Sequence, residues 1–267
     1  MPLHLNALTN NDRDGLLAYL LQNGMDHAED AIASEDKRIL HLANPMWDAS
    51  SGERIGKFVY TLLIDDAHKA LEVIDIDITL DSAETAELRF LEKLPQSSDA
   101  NEYYDVETAD NGIRLQIETV NRNFLPGDIV DTVQRVCACA FPFQLTVYDD
   151  MDALNEAVGL KKTVKVNGTD MSVGGLSSIF AAPGSLGSTD GSESDVYSLM
   201  VGIVRDVRDV SVKFGERMLA FAIVQLESAL GLLPVAMGRD VFDLDKLAPG
   251  RAIMMNADVK ADFAVDQ

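Results

Sequence analysis

The segment LEVIDIDITLD, residues 71–81, alternates apolar side chains with acidic or hydroxyl side chains. In an extended chain Ile74, Ile76, Ile78 and Leu80 lie on one face, and the polar side chains lie on the other. A period of two with one polar face is typical of an antiparallel sheet that buries its other face. We therefore predict an antiparallel sheet in the first part of the chain.

The neighbouring segments continue this pattern. They are rich in β-branched and aromatic residues, and Asn111-Gly112 is typical of a tight turn between two strands. The predicted strands are residues 38–43, 57–65, 85–94, 112–120 and 143–148. This order predicts a meander.

Two helices are predicted to flank the sheet. Asn10 or Asn11 can cap the first helix, and Gly24 can end it. Its apolar stripe consists of Leu16, Leu17, Leu20 and Leu21. Pro142 can end the second helix, because proline disrupts a helix interior. The apolar positions of the second helix are Ile129, Val133, Val136 and Ala140. A short third helix is predicted at residues 152–158.

A segment rich in glycine and serine separates this region from the end of the chain. These two residue types make up 11 of the 22 residues from 173 to 194, a composition typical of a flexible connection. Asn167-Gly168, just before it, predicts a hairpin within residues 161–173. Beyond it, the predicted strands are residues 196–212, 217–227, 230–238 and 252–263.

These elements predict an α+β fold class. An N-terminal antiparallel sheet with flanking helices would be followed by a small all-β barrel. The predicted division is an acidic α+β domain at residues 1–160, a hairpin and linker at residues 161–195, and the barrel at residues 196–267.

The C-terminal region resembles an OB-fold. The resemblance consists of a long first strand with Gly202 in its middle, a following hairpin, and a Pro249-Gly250 turn before the last strand. Only four strands are visible where the family has five. The fifth is expected either within residues 161–173 or from the long first strand counted twice.

The resemblance implies a barrel that binds single-stranded nucleic acid or another protein. Nucleic acid would require a basic groove with exposed aromatic rings. The candidate ligand-binding residues are Arg205, Arg208, Lys213, Arg217, Tyr197 and Phe214. Acidic Asp206 and Asp209 oppose part of this positive charge. Residues 1–160 resemble, in the order of their predicted elements, the small acidic secretion chaperones, which implies a domain that dimerises and holds a partner segment.

The chain is strongly acidic, with 44 acidic and 22 basic residues and a formal net charge of -22. Residues 196–267 hold 10 acidic and 8 basic side chains, so most of the excess lies earlier. Such a charge repels nucleic acid and anionic membranes and can attract a basic partner. The alternative explanation is that the acidity only keeps the protein soluble.

Motifs for catalysis and cofactor binding are absent from the sequence. It contains no phosphate-binding loop, no nucleophile elbow and no zinc-protease motif, so no cofactor is expected. The four histidines are isolated from one another. Cys137 and Cys139 are expected on opposite sides of a helix, which argues against a shared metal ion.

Asp75 and Asp77 form the best carboxylate pair. On a strand they share a face, with a rise of about 6.6 Å between them. Two carboxylates at this spacing can hold Mg²⁺ or Ca²⁺ or act as acid and base, although a solvated strand face explains them as well.

The leading hypothesis is a noncatalytic, chaperone-like protein-binding or assembly factor, and therefore not an enzyme. The alternatives are single-stranded nucleic-acid binding through the C-terminal barrel and a hard-metal-dependent hydrolase at Asp75 and Asp77. The expected partner is another protein with a basic surface or a second copy of the chain. No apolar stretch reaches the roughly 18 residues of a membrane span and no signal peptide is visible, so a cytoplasmic location is expected.

Overall fold

The fold was examined in a computed structural model of the chain. It describes residues 7–9, 15, 18, 20, 30–33, 38–65, 70–97, 102–120, 127–158, 163–166, 169–172, 180–184, 196–214 and 216–263.

The described residues include fifteen strands and one helix, of seven residues, that is described over its full length. The strands are β1 (Asp30–Ala33), β2 (Ile39–Trp47), β3 (Arg54–Asp65), β4 (Ala70–Leu80), β5 (Ala86–Lys93), β6 (Glu102–Thr108), β7 (Arg114–Thr119), β8 (Val133–Tyr148), β9 (Thr163–Val166), β10 (Thr169–Ser172), β11 (Phe180–Gly184), β12 (Tyr197–Phe214), β13 (Arg217–Ser228), β14 (Gly231–Gly238) and β15 (Ala252–Phe263). The helix α1 spans Met151–Ala157, and a 3₁₀ turn spans Leu244–Lys246.

The predicted fold class is wrong. The structure is mostly β, with 66% strand and 8% helical residues, so it does not belong to the predicted α+β class. Of the first predicted helix, Leu20 is helical and buried, and Asn10, Asn11 and Gly24 lie outside the described residues. No helix in the described ranges is long and apolar enough to cross a membrane.

The second predicted helix is instead part of β8. Val136, Ala138 and Ala140 pack into one core, whereas Cys139 and Phe141 pack into another. A strand buried on both faces has a continuous apolar run, which also satisfies helical spacing. Pro142 is tolerated because it lies at a register shift opposite Ala257 of β15.

The antiparallel sheet predicted from residues 71–81 is present, but the strands predicted at residues 85–94, 112–120 and 143–148 belong to a separate nine-stranded sheet and not to this meander. Strands β1 to β4 form a four-stranded sheet in chain order, and every neighbouring pair is antiparallel. We call it the N-terminal sheet. Its strand β4 is buried on both faces toward its C-terminal end, since Ile76, Asp77, Ile78 and Thr79 are all buried.

The remaining large sheet closes into two rings that share two strands. The first ring runs β5–β6–β7–β15–β8 and returns to β5. The second runs β12–β13–β14–β8–β15 and returns to β12. We call these rings barrel 1 and barrel 2. One apolar cluster lines both, with Phe90 and Ile117 from barrel 1 and Val224 and Val235 from barrel 2.

Strands from both sides of the predicted linker therefore belong to one sheet. Barrel 1 takes β15 from residues 252–263, and barrel 2 takes β8 from residues 133–148. The fifth strand of barrel 2 is thus β8. The segment at residues 161–173 instead holds the predicted hairpin, in which β9 and β10 form a separate two-stranded sheet. Within the Gly/Ser-rich segment, β11 pairs with the start of β12.

The N-terminal sheet packs against the outer side of the barrels. Phe58, Tyr60 and Ile78 of this sheet share an apolar cluster with Phe141 of β8 and Phe221 of β13. A second connection is polar: the Asp48 carboxylate accepts a hydrogen bond from the Ser211 backbone N–H at 3.0 Å. The sheet is therefore held to the barrels by apolar packing and by specific polar contacts.

Gly202 lies where β12 changes partners from β15 to β13. A Cβ atom at Gly202 would lie 2.5 Å from the Glu227 carbonyl oxygen and 2.6 Å from Leu226 Cγ. We expect Gly202→Val to lower the free energy of unfolding by about 2–4 kcal/mol, because this close approach leaves no room for a side chain.

Gly250→Ala provides the control in urea denaturation. A Cβ at Gly250 meets no atom within 4 Å, but its φ of 89° is unfavourable for alanine, so we expect a loss of about 1 kcal/mol. Equal losses in Gly202→Val and Gly250→Ala would argue against tight packing at Gly202.

Candidate functional site

A lysine and four carboxyl groups meet between the N-terminal sheet and the shared strand β15. The Lys260 Nζ donates to Asp77 Oδ1 at 2.5 Å and to Glu118 Oε2 at 2.7 Å. Asp258 Oδ2 lies 3.6 Å from the same nitrogen. Oxygen atoms of Asp75, Asp77 and Glu118 lie within 4.8 Å of one another. We call these five residues the Lys260 cluster.

The cluster is built from three strands that are distant in sequence. Asp75 and Asp77 come from β4, Glu118 from β7, and Asp258 and Lys260 from β15. The odd-numbered residues of β15 face the barrel core, which turns Asp258 and Lys260 toward the opposite side, where β4 lies. The ion pairs therefore join the N-terminal sheet to both barrels, since β15 belongs to both.

Burial strengthens the electrostatic interactions among these groups. The Lys260 side chain is 1% exposed, and those of Asp77 and Glu118 are 3% and 4% exposed. Two carboxylates 4.8 Å apart repel each other by about 3.5 kcal/mol at an effective dielectric constant of about 20. Burial away from water raises the pKa of Glu118 and of Asp258, two neighbours of Lys260, above the usual range of a carboxyl group. At Lys260, burial lowers the pKa of the ammonium, but the attraction of the surrounding carboxylates outweighs this effect and raises the pKa above its usual value.

His41 lies next to this cluster on β2. Its Nε2 is 3.1 Å from the hydroxyl of Thr61, which pairs with Asp75 across β3 and β4. Burial lowers the pKa of His41 to about 4, in spite of the opposing effect of Asp77, so the ring is neutral at neutral pH. A neutral histidine does not offset the negative charge of the cluster.

The predicted carboxylate pair is therefore brought together with other charged groups. Asp77 is buried, so the alternative of a solvated strand face is wrong at this position. The cation that Asp77 meets in the structure is the ammonium of Lys260. An acidic group beside an ammonium is the arrangement of a buried ion pair. Binding of Mg²⁺ or Ca²⁺ at Asp75 and Asp77 stays a prediction.

The ligand-binding residues predicted on barrel 2 do not together form one exposed, positively charged surface. Arg205 pairs with Glu227, and Arg208 Nη1 donates to Glu53 Oε2 at 2.6 Å. Tyr197 is buried, with its ring 5.3 Å from that of Phe143. Lys213 and Arg217 are exposed at the β12–β13 hairpin, and the side chain of Phe214 lies outside the described part of the chain.

The sequence reasoning missed the roles of Glu118, Asp258 and Lys260. A signal for two of them was present in β15, where Asp258, Lys260 and Asp262 alternate in sign at a period of two between apolar residues. Asp262 also pairs with Lys57 of β3. Alternating charges on one face of a long apolar strand indicate that this face meets charged partners.

Cys137 and Cys139 lie on the same side of a strand, because the predicted helix is absent. Cys139 is buried, and its Sγ accepts a hydrogen bond from the Leu80 N–H at 3.4 Å. Burial raises the pKa of the Cys139 thiol to about 12, which keeps it protonated and weakly reactive. This cysteine therefore contributes to packing between β8 and β4.

A second polar junction lies at the end of β2. Asp48 pairs with Val212 of β12, and its carboxylate accepts hydrogen bonds from the Ser50 and Ser51 hydroxyls at 2.6 and 2.7 Å. The hydrogen bond from the Ser50 hydroxyl is the main reason that the pKa of Asp48 lies well below its usual value. We call this region, where Asp48 meets β12, the Asp48 seam.

Two large apolar side chains are exposed close to the Asp48 seam. Trp47 directly precedes Asp48 and is 48% exposed. Met218 is 57% exposed and pairs with Lys213, the residue after Val212. Tryptophan and methionine are enriched at protein–protein interfaces. Trp47 and Met218 are therefore the candidate interface residues near the seam.

Comparison of the chain with protein-family models, with curated proteins and with solved structures found no match.

Proposed function

We propose that this chain is a noncatalytic protein-binding or assembly factor that binds its partner at the Asp48 seam. The exposure of Trp47 and Met218 near the bridge between Asp48 and Val212 carries this proposal. Interface energy is concentrated in a few such side chains.

The charge of the molecule favours a protein partner with a basic surface. The net charge of -22 attracts basic proteins over a distance and repels nucleic acid. At the seam itself, Arg208 is already paired with Glu53, so it contributes little net positive charge. A second copy of the chain is a less favoured partner, because two copies repel each other at this net charge. The cytoplasmic location stays a prediction.

Binding of single-stranded nucleic acid by barrel 2 is the second candidate. The strand order of barrel 2, with five strands and the parallel pair β14–β8, supports the resemblance to an OB-fold. The ion pairs of Arg205 and Arg208 count against this candidate, because these side chains are matched by carboxylates. Salt-dependent binding of the full chain to an oligonucleotide, weakened by Lys213→Ala and Arg217→Ala together, would favour nucleic acid over protein.

Loss of the seam side chains tests the leading proposal. We expect the wild-type chain, carrying a crosslinker, to capture specific proteins. A Trp47→Ser/Met218→Ser double variant should capture at least about tenfold less of these proteins, which corresponds to about 1.4 kcal/mol of binding free energy. Mass spectrometry would quantify the captured proteins, and purified partners would then be tested for direct binding.

The matched control is Val158→Ser, which removes another exposed apolar side chain at the end of α1. It should capture the same proteins as the wild type. Equal capture by all three chains would show that the seam is not the binding surface. Capture of nucleic acid alone would contradict the protein-binding proposal itself.

A further inference from the structure

Part of one edge of β12 has no neighbouring strand among the residues that the structure describes. At one end of this part, the Val204 N–H donates to the Arg251 carbonyl at 2.8 Å. At the other end, the Ala49 N–H donates to the Ser211 carbonyl at 2.7 Å. With a rise of about 3.3 Å per residue, the two contacts lie about 23 Å apart along β12. We call residues 205–210, between these contacts, the β12 gap.

The β12 gap presents backbone hydrogen-bonding groups that no described residue satisfies. In an antiparallel pair, successive residues direct their N–H and C=O groups alternately toward the partner strand and away from it. Ser211 directs both groups away from β13, since they bond to Asp48 and Ala49. Because the register with β13 is regular here, Val207 and Asp209 also direct their N–H and C=O groups away from β13. These two donors and two acceptors are the groups that an added strand bonds.

The side chains of the β12 gap leave one negative charge unmatched within the described part of the chain. The matched charges are Arg205 with Glu227, Arg208 with Glu53, and Asp209 with Arg239. Asp206 is exposed and forms no ion pair with a described residue. Together with the net charge of -22, this carboxylate favours a basic side chain in whatever segment enters the gap.

We propose that the β12 gap binds a short extended segment of a partner protein, which adds an antiparallel strand to β12 and places a basic side chain near Asp206. The inference rests on the proposed function, because the gap begins beside the Asp48 seam, and it names the kind of segment that the partner supplies. Backbone hydrogen bonds supply affinity in this binding mode, and the side chains supply specificity.

The length of the gap determines what kind of segment can enter it. Arg251 and Ala49 occupy the same edge on either side, so an entering strand has room for about six residues and must leave the edge at both ends. A loop or a tail of a partner protein meets this requirement. The β12 strand of a second copy does not, because it continues in both directions and has its own Arg251 and Ala49 on that edge.

Asp209→Pro and Asp209→Ala form the matched pair of variants that tests strand addition. Both remove the ion pair with Arg239, but only proline removes the N–H that points into the gap. Proline is tolerated in a strand where the N–H faces solvent. The probe is a displayed library of linear peptides of about 12 residues, selected on the full wild-type chain.

We expect the selected peptides to be basic and to bind Asp209→Ala as they bind the wild type. Asp209→Pro should bind them at least about tenfold more weakly, because it lacks one donor and its ring meets the added strand. Asp206→Asn should weaken binding by about two- to fivefold. Failure to select any peptide that Asp209→Pro binds more weakly than Asp209→Ala would overturn the proposal.

Amide exchange followed by NMR gives a second readout on the wild-type chain. In the free protein, the N–H groups of Val207 and Asp209 should exchange faster than that of Val210, which faces β13. A bound peptide should slow the exchange of both. If Asp209→Pro does not fold, this protection decides, and its absence with a peptide bound shows that no strand is added.

Capture of proteins separates this inference from the proposed function. The Trp47→Ser/Met218→Ser variant is compared with Asp209→Pro and Asp209→Ala in the same capture experiment. If the first loses its captured proteins and both Asp209 variants keep them, partners bind at the seam without adding a strand, and only the present proposal is wrong. If all three variants keep their captured proteins, the proposed function fails, and strand addition by a partner fails with it.

Discussion

Lys260→Met is expected to lower the free energy of unfolding by about 3–5 kcal/mol at neutral pH. Methionine matches the length of the lysine stem but leaves Asp77 and Glu118 buried without the ammonium that bonds both. The cost of removing a carboxylate from water then remains without the compensating attraction. Equilibrium denaturation in urea, followed by circular dichroism, measures the loss.

The loss in Lys260→Met should be smaller at about pH 5 than at about pH 8. Without a nearby cation the carboxyl groups take up protons more readily, and protonated groups repel each other less. Lys213→Met, at an exposed position of β12, is the matched control and should change the free energy of unfolding by less than about 0.5 kcal/mol. Equal losses in both variants would show that the ion pairs contribute little.

Asp48→Ala is expected to cost about 2–4 kcal/mol. The substitution removes an acceptor of charge-assisted hydrogen bonds from the Ser50 and Ser51 hydroxyls and from the Ser211 N–H. It leaves the Ser211 N–H of β12 without that acceptor at the junction of the N-terminal sheet with barrel 2. Thermal and urea denaturation would both register the loss.

The loss in Asp48→Ala is expected to depend on pH. The pKa of Asp48 is lowered in the folded state, so its contribution is present above the ordinary value of 3.8 and decreases as the pH falls below it. The difference between wild type and Asp48→Ala should therefore shrink in acid. Asp243→Ala, which removes an exposed ion pair with Lys246, should leave stability unchanged at every pH. A pH-independent effect of Asp48→Ala would contradict the role of the ionised carboxylate.

The sequence predicted individual strands better than their assembly. The alternation of residues 71–81 identified β4, and the Asn111-Gly112 and Pro249-Gly250 turns separated strands that are present in the structure. Local patterns are sufficient for such features, because side-chain period and turn chemistry act over a few residues.

The shared strands could not be read from the sequence. β8 and β15 pair over twelve residue pairs although more than 100 residues separate them. Such a pairing depends on which distant apolar faces fit together, and a periodic pattern does not encode the partner. The apolar run of β8 therefore satisfied a helix as well as a strand, and the helix prediction failed.

Two of the five residues of the Lys260 cluster could be identified from the sequence. Asp75 and Asp77 stood out as a carboxylate pair on one strand face, but the alternation that revealed them also indicated that this face meets water. Only the tertiary fold shows that β15 covers the cluster with Lys260. A period of two distinguishes the two faces of a strand and does not establish which of them is exposed.

The central claim is that the ammonium of Lys260 links the N-terminal sheet to the barrels through Asp77. A double-mutant cycle with Lys260→Met and Asp77→Asn, measured by urea denaturation at neutral pH, tests this link most directly. We predict that the double variant is more stable than the sum of the two single losses implies, by at least about 2 kcal/mol. Losses that add within about 0.5 kcal/mol would contradict the claim.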